Sequence, residues 1–134
     1  MKTVLFVCTH NAGRSLMAEV LFNQLAKGKG KAMSAGTSPS NIVNPDVIEL
    51  MREIGIDISD KKPKALTSEM VEQVDRVITM GCSIEGICPA TFVETQDWEL
   101  EDLKGKSLDD IRKIRDEIKA KVVDLLNEME HPEN

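Results

Sequence analysis

The chain has 134 residues, of which 41% are hydrophobic and 30% are charged, and its formal net charge is −6 at pH 7. This length fits one domain, and the composition is that of an ordinary globular protein. The acidic balance argues against a nucleic-acid partner, so any anion must bind in a local pocket that works against the overall charge. No apolar run approaches the roughly 20 residues of a membrane span, and no signal-peptide pattern follows Lys2, so we expect a cytoplasmic protein with no membrane partner.

Apolar residues recur along the chain with strand-like and helix-like periods in turn. Strands that alternate with helices imply a parallel sheet with helices on both faces. We therefore predict a single α/β domain over residues 1–134 with a four-stranded parallel sheet. In chain order the predicted elements are a strand at 2–7, a helix at 15–27, a strand at 31–35, a helix at 45–54, a short helix at 67–73, strands at 75–80 and 90–93, and a long helix from 107.

The long C-terminal helix is predicted to begin at a capping box, Ser107-Leu108-Asp109-Asp110, in which Asp replaces the usual Glu or Gln. An apolar stripe that runs from Leu108 to Met129 should pack on the sheet. The charged residues of this helix, Arg115 among them, are most simply interpreted as a solvated face.

The residues between the first strand and the first helix form the strongest functional motif. Cys8 ends the strand, and Arg14 opens the helix after five intervening residues. Free N–H groups at a helix N-terminus favour an anion and the thiolate form of a nearby cysteine. The Arg14 guanidinium can hold two oxyanion oxygens at once. We predict that Cys8 is a nucleophile beside an oxyanion-binding loop made of Thr9, His10, Asn11, Ala12, Gly13, Arg14 and Ser15.

A less specific interpretation of this motif remains open. A cysteine behind a strand is often a small core residue, and the spacing from Cys8 to Arg14 can arise by chance. The context favours the loop, because Asn11 and Gly13 tolerate the left-handed backbone that an anion-binding turn requires.

Two further cysteines, Cys82 and Cys88, follow the third predicted strand and have five residues between them. In a reducing compartment such cysteines are more often catalytic or metal-binding than structural. A metal site with Cys8 or His10 is disfavoured by the spacing, so we predict no metal and no cofactor. Inert loop thiols and thiol–disulfide exchange both remain as interpretations.

The loop, together with Leu16-Met17-Ala18-Glu19, resembles the signature of the low-molecular-weight protein tyrosine phosphatase superfamily, and in particular its thioredoxin-coupled arsenate reductases. Other matching segments lie in the family's order along nearly the whole chain. The resemblance implies an enzyme that reduces arsenate, with arsenate or a phosphate-like oxyanion as ligand and thioredoxin as reductant. The matching segments are Ser34-Ala35-Gly36-Thr37, Asn44-Pro45, Gly55-Ile56-Asp57-Ile58-Ser59 and residues 98–102.

The same resemblance assigns roles to the cysteines. After arsenate has reacted with Cys8, Cys82 attacks the Cys8 sulfur and arsenite leaves. Cys88 then attacks Cys82 and frees Cys8. The family usually has six residues between the second and third cysteines, whereas this chain has five.

The resemblance also implies a general acid at Asp102, which protonates the leaving oxygen. Family members usually have proline next, where this chain has Leu103. Asp97 and Glu101 are alternative acids, and the whole acidic segment could instead be a solvated loop.

Four more residues receive expected roles. Ser15 is expected to donate a hydrogen bond to the Cys8 thiolate and Asn11 to hold the loop, although both could be only cap or turn residues. His10 is expected to be non-catalytic. Some family members bind potassium with residues that match Asn11, Glu19 and Ser34 and an aspartate near Lys64; a lysine ammonium could replace the ion's charge, so we predict potassium independence.

Two other functions are compatible with the motifs. One is a phosphatase of phosphotyrosine or small phosphoesters, although the chain contains no tyrosine to help bind an aryl phosphate. The other is a degenerate oxyanion-binding or redox-sensing module without catalysis.

Overall fold

The structure, a computed structural model, describes residues 2–80, 94–101, 103 and 105–130. Within this part of the chain, strands and helices follow one another in the predicted order, with some differences in their bounds. The elements are β1 (Lys2–Cys8), α1 (Arg14–Ala26), β2 (Gly30–Gly36), α2 (Pro45–Arg52), α3 (Ser68–Glu72), β3 (Arg76–Thr79), β4 (Glu94–Asp97) and α4 (Leu108–Glu130).

The four described strands form one parallel sheet in the order β2-β1-β3-β4. β1 pairs with β2 along its length, from Lys2 opposite Gly30 to Cys8 opposite Gly36, and with β3 on its other side. Cys8 therefore ends an inner strand at the carboxyl edge, where parallel α/β sheets bind ligands. The predicted four-stranded parallel sheet is confirmed.

Alternate residues of β1 point to opposite faces of the sheet. Val4, Phe6 and Cys8 belong to the larger hydrophobic core, which also contains buried residues of α1, α2 and α4. Leu5 and Val7 belong to a smaller core on the other face, which includes Val71 of α3. Helices thus cover both faces, as predicted.

The fourth strand lies later than predicted. β4 spans Glu94–Asp97, whereas the prediction placed it at 90–93, which lies outside the described residues. The four residues of β4 are polar, and β4 is at the end of the strand order. An edge strand does not need to be buried on all sides, so its sequence lacks the apolar signal on which the prediction depended.

The long helix α4 begins as predicted, because the Asp110 amide donates to Ser107 Oγ at 3.2 Å. Most of the apolar stripe is buried, but Leu108 at its start is 40% exposed. Neither α4 nor any other described helix is long and apolar enough to cross a membrane.

The prediction that Arg115 faces solvent is wrong. Arg115 is buried, and its Nη1 donates to the Leu50 carbonyl at 2.8 Å and to Glu53 Oε1 at 2.9 Å. Arg112 also donates to Glu53, and these hydrogen bonds, those from Arg112 first, lower the pKa of Glu53 to about 2. This cluster joins α4 to the end of α2, a contact that helical periodicity alone does not reveal.

Candidate active site

The Cys8 thiol lies at the base of a loop that connects β1 to α1. Cys8 is a free cysteine, only 2% exposed, and its Sγ lies 2.9 Å from Ser15 Oγ in the first turn of α1. The strand therefore brings the sulfur to the N-terminus of the helix. The structure places Cys8 and Ser15 together as predicted.

The backbone of this loop is oriented by the segment 37–44. The carbonyls of Cys8, Thr9, His10 and Ala12 accept hydrogen bonds from amides of that segment, with donor–acceptor distances between 2.7 and 3.1 Å. In a peptide unit the N–H points away from the C=O, so the loop amides turn to the opposite side. No described residue accepts a hydrogen bond from the amides of residues 10–15. The result is a cradle of N–H groups around the thiol, suited to an anion.

The start of α1 adds to this cradle. Gly13 is the N-cap residue and provides no side-chain hydrogen bond, and the first turn contains no acidic residue. Most helices satisfy their first N–H groups with a capping side chain. Here these groups and the positive end of the helix dipole remain available for an anion.

Asn11 holds the loop in an unusual backbone conformation. Its φ is +50°, in the left-handed region, and its side chain is fully buried. Nδ2 donates to Ser15 Oγ at 2.7 Å and to Ser34 Oγ at 3.0 Å, while Oδ1 accepts from the Lys64 amide at 2.8 Å. The three hydrogen bonds tie the loop to α1, to β2 and to the segment that follows α2.

Gly36, at the end of β2, lies directly beneath the loop. A Cβ atom at this position would lie 2.7 Å from the Thr9 carbonyl oxygen and 3.0 Å from the Asn11 amide nitrogen. Both atoms belong to the backbone and cannot rotate away, so only glycine permits this close approach.

A buried polar chain extends from the loop away from Cys8. Ser34 donates to Glu19 Oε1, and Lys61 Nζ lies 3.2 Å from Glu19 Oε2. Glu19 is 5% exposed and Ser34 is fully buried. We refer to Ser15, Asn11, Ser34, Glu19 and Lys61 as the polar chain.

The resemblance to family members that bind potassium suggested Lys64 as the lysine whose ammonium replaces the ion, and this expectation is wrong. The Lys64 side chain is exposed, and the residue takes part through its backbone, whose N–H donates to Asn11 and whose C=O accepts from Gly36; the ammonium that contacts Glu19 is that of Lys61. A potassium ion does not fit a donor set whose carboxylate is already paired with an ammonium. The ionic partner of Glu19 belongs to the chain itself.

Arg14 is buried, and it faces the same cavity as Cys8. Its Nη1 donates to the carbonyls of Met80, at 2.5 Å, and Leu100, at 3.0 Å. These carbonyls follow β3 and β4, so the guanidinium is fixed by the ends of two neighbouring strands. The sequence indicated Arg14 as an anion ligand but gave no sign of these partners, which are 66 and 86 residues away.

The cavity above the loop has a volume of about 480 Å³. Leu103 forms part of its wall and packs on the loop, since a Cβ on Gly13 would lie 2.5 Å from Leu103 Cδ1. Ile42, 68% exposed, lies at the cavity. The sequence analysis did not predict that the segment 37–44 contributes to the site. The lining residues are Cys8, His10, Ala12, Gly13, Arg14, Ser40, Asn41, Ile42, Asn44 and Leu103.

His10 lies on the rim of this cavity. Its Nδ1 lies 3.2 Å from the Ser38 carbonyl oxygen. A carbonyl only accepts, so Nδ1 carries the proton and the ring is held by the backbone of the neighbouring segment.

The remaining predicted site residues, Cys82, Cys88 and Asp102, lie outside the described residues. The two alternative acids have other partners. Asp97 Oδ1 accepts from Thr79 Oγ1 at 2.7 Å, and Glu101 accepts from Lys106, whose pKa it raises. Among the described residues, no three His, Cys, Asp or Glu side chains form a group that could hold a metal ion.

A free thiol in a cradle of helix N-terminal amides, at the carboxyl edge of a parallel sheet, defines an α/β protein of the cysteine-dependent oxyanion-binding class. The family model described as low molecular weight phosphotyrosine protein phosphatase matches residues 3–134. The chain therefore belongs to this family.

Curated relatives match along most of the chain. An arsenate reductase from Brevibacillus brevis is 33% identical over 90% of this chain and 91% of its own length. A glutaredoxin arsenate reductase from Synechocystis is 37% identical over 94% of this chain and 97% of its own length.

Solved structures show the same similarity. A thioredoxin-dependent arsenate reductase from Corynebacterium glutamicum has a TM-score of 0.84 and 35% identity; the match covers 99% of this chain but 64% of that longer one. An arsenate reductase in a phosphate-binding state has a TM-score of 0.84 and 36% identity, over 96% of this chain and 98% of that one. A low molecular weight protein tyrosine phosphatase from T. tengcongensis has a TM-score of 0.83 and 30% identity, over 96% and 99%.

Proposed function

We propose that this protein is an arsenate reductase that converts arsenate to arsenite and is itself reduced again by thioredoxin. The observation that carries the proposal is the 2.9 Å contact between Cys8 Sγ and Ser15 Oγ at the base of the amide cradle. Two relatives that match at least 90% of the chain are arsenate reductases, and one solved neighbour is an arsenate reductase that binds phosphate, an anion of the same shape.

In the first step the Cys8 thiolate attacks arsenic, and a hydroxyl group of arsenate leaves as water after it has taken a proton from an acid. The loop amides and Arg14 bind the remaining oxygens and compensate their charge. Asp102 is the acid in this proposal. Its support is its place in the sequence, two residues after Leu100, whose carbonyl accepts a hydrogen bond from Arg14. Asp97 and Glu101 are less suitable, since each already has a partner.

In the second step the Cys82 thiolate attacks the Cys8 sulfur. The sulfur–arsenic bond breaks, its electron pair stays on arsenic, and As(V) becomes As(III) while two thiolates become one disulfide. Cys88 then attacks Cys82, which moves the disulfide to Cys82 and Cys88 and releases Cys8 as a thiolate. A dithiol reductant then reduces the Cys82–Cys88 disulfide, is itself oxidised to a disulfide, and completes the cycle.

Thioredoxin is the reductant in this proposal because the Corynebacterium neighbour is thioredoxin-dependent. The Synechocystis relative is a glutaredoxin arsenate reductase, so glutaredoxin is the competing reductant. Either dithiol belongs to a reducing compartment, which supports a cytoplasmic location.

The decisive experiment follows the cysteines directly. Reduced protein is incubated with arsenate, and the masses of its cysteine peptides are measured for wild type, Cys82→Ser and Cys88→Ser. We expect a Cys82–Cys88 disulfide in wild type and a trapped Cys8–Cys82 disulfide in Cys88→Ser. If no arsenate-dependent disulfide forms in any of them, the reductase proposal is wrong. Turnover with thioredoxin or with glutaredoxin then identifies the reductant.

A phosphatase is the second candidate, because the family model is described as a phosphatase and the T. tengcongensis neighbour is one. The first step would be the same attack by Cys8, with water rather than Cys82 resolving the adduct. Hydrolysis of p-nitrophenyl phosphate that persists in Cys82→Ser, without arsenate-dependent disulfides in wild type, would favour this candidate.

A further inference from the structure

We propose that His10 is a specificity-determining residue: its Nε2 accepts the hydrogen of a protonated tetrahedral oxyanion and so distinguishes hydrogen arsenate and hydrogen phosphate from sulfate. The inference rests on the proposed function only in that the loop binds a tetrahedral oxyanion. His10 moves no proton in this role, and its part is to bind and orient the anion.

The backbone of the loop offers an anion hydrogen-bond donors. The carbonyls of residues 8, 9, 10 and 12 accept from the segment 37–44, while the amides of residues 10–15 have no acceptor among the described residues. Arg14, which lines the same cavity, carries donors only. Donors suit the unprotonated oxygens of an anion, but the hydroxyl group of hydrogen arsenate also needs an acceptor for its hydrogen.

The ring of His10 provides such an acceptor. Nδ1 lies 3.2 Å from the Ser38 carbonyl oxygen, which can only accept, so the hydrogen of a neutral ring is on Nδ1. Nε2 then carries a lone pair, and no described residue is hydrogen-bonded to it. His10 is exposed at the rim of the cavity, and an exposed imidazole is ordinarily neutral at pH 8. The Ser38 carbonyl thus fixes Nε2 as an acceptor.

The other uncharged polar side chains of the cavity do not make this distinction. The Ser40 hydroxyl can rotate and the Asn41 amide can turn over, so each can donate to an unprotonated oxygen or accept from a protonated one. Asn44 Oδ1 already accepts from the Asp46 amide at 2.9 Å. Among the described lining residues, only His10 has a nitrogen that is held as an acceptor.

The Cys8 thiolate is an acceptor as well, but it favours a different orientation of the anion. Attack by sulfur requires the leaving oxygen to lie opposite Sγ. Because the amide cradle surrounds Sγ at the base of the loop, the oxygen opposite Sγ faces the cavity that His10 lines. A hydroxyl that donates to Nε2 is in this place and can leave as water, whereas one that donates to sulfur lies beside Sγ. His10 therefore selects the protonated anion and orients its hydroxyl for departure.

The test compares two anions of the same shape and charge that differ by one proton. At pH 8 phosphate is mainly the monohydrogen dianion, whereas sulfate is a dianion without a proton. The dissociation constants of both are measured with reduced protein by calorimetry, and the readout is the ratio of the sulfate constant to the phosphate constant. A purely structural role of His10 would change both constants and leave this ratio unaltered.

Wild type should bind phosphate about 10-fold more tightly than sulfate, and His10→Phe should lower the ratio about 3- to 10-fold because the acceptor is lost. His10→Asn should lower the ratio equally. An Asn amide can still donate to the Ser38 carbonyl in place of Nδ1, but it has no atom where Nε2 lies. His10→Gln puts an amide near that position, so it should keep the phosphate affinity and bind sulfate more tightly, because the amide can turn and donate.

Ser40→Ala is the matched control. It also removes a polar side chain from the cavity, but one that adapts to either anion, so the ratio should stay at its wild-type value. In a Cys8→Ala background the sulfur no longer accepts, and the fall caused by His10→Asn should persist.

An unchanged ratio in folded His10→Asn would overturn the inference, as would nearly equal affinities for the two anions in wild type. If wild type binds neither anion, the oxyanion site itself is wrong and the inference falls with it. Because the assay contains neither arsenate nor a dithiol reductant, a failure of arsenate reduction would leave the measured ratio unaffected.

Discussion

Cys8 Sγ and Ser15 Oγ lie 2.9 Å apart although they belong to different elements, one to the end of β1 and the other to the first turn of α1. In the loop between them, the Asn11 side chain donates a hydrogen bond to Ser15 Oγ, and backbone carbonyls accept hydrogen bonds from the segment 37–44. The distance between sulfur and hydroxyl is therefore set by the packing of the helix on the sheet. Because the hydroxyl is so close to the sulfur, its removal tests directly whether Cys8 is the nucleophile.

Replacement of Ser15 by Ala should lower kcat/KM for arsenate about 10- to 100-fold, because a hydrogen bond to a charged group is lost. Ser15→Thr retains the hydroxyl and should recover much of the activity. Steady-state assays at pH 7 check this, and near-wild-type activity in Ser15→Ala would mean that the hydroxyl serves only the helix.

Replacement of Arg14 by Lys should lower kcat/KM about 100-fold or more, because an ammonium cannot replace the planar guanidinium in binding an oxyanion. The melting temperature should fall as well, since the Met80 and Leu100 carbonyls lose their donor. Arg52→Lys, at an exposed salt bridge with Asp57, is the control and should alter neither quantity noticeably.

Replacement of Gly36 by Ala should displace the loop, because the new Cβ would lie 2.7 Å from the Thr9 carbonyl oxygen. We expect a loss of stability of about 1–3 kcal/mol and weaker phosphate binding by calorimetry. Gly28→Asn is the control: Gly28 has a left-handed backbone, with φ of +85°, but a Cβ at this position would have no atom within 4 Å. Equal phosphate affinity in Gly36→Ala and wild type would contradict the prediction.

The Glu53 cluster predicts how stability depends on pH. The pKa of Glu53 is about 2 in the folded protein, below its ordinary value of 4.5, because Arg112 and Arg115 donate to it. A lowered folded pKa means that the contribution is complete above 4.5 and is lost as pH falls toward 2. Glu53→Gln should thus lower the melting temperature at pH 7, and this difference should shrink between pH 4.5 and 2. Exposed Glu49→Gln should show no such trend.

Arsenate reduction should proceed at the same rate in potassium and in sodium salts at equal ionic strength. The physical reason is that Glu19 is already paired with the Lys61 ammonium, 3.2 Å away. In Lys61→Met this pairing is absent. A severalfold activation of wild type by potassium would show that a cation binds elsewhere or displaces Lys61.

The order of the secondary-structure elements and the position of the candidate loop were predictable from the sequence alone. Apolar periodicity determined the order of strands and helices, because burial imposes a period of 2 on strands and 3.6 on helices. The spacing from Cys8 to Arg14 at a strand-to-helix junction predicted the oxyanion loop, because local geometry places a helix N-terminus beside the thiol. Such features depend on neighbours in the chain, and a pattern of neighbours is what a sequence records.

Tertiary structure decided what depends on residues far apart. Only the folded chain shows that Arg14 is fixed by two distant carbonyls, that Arg115 is buried against α2, and that Lys61 rather than Lys64 pairs with Glu19. In each case a charged side chain finds its partner across the fold, and the choice depends on distances of a few ångströms that sequence spacing does not encode. The sequence thus predicted the nucleophile and its loop, whereas packing decided which charged side chains are paired around them.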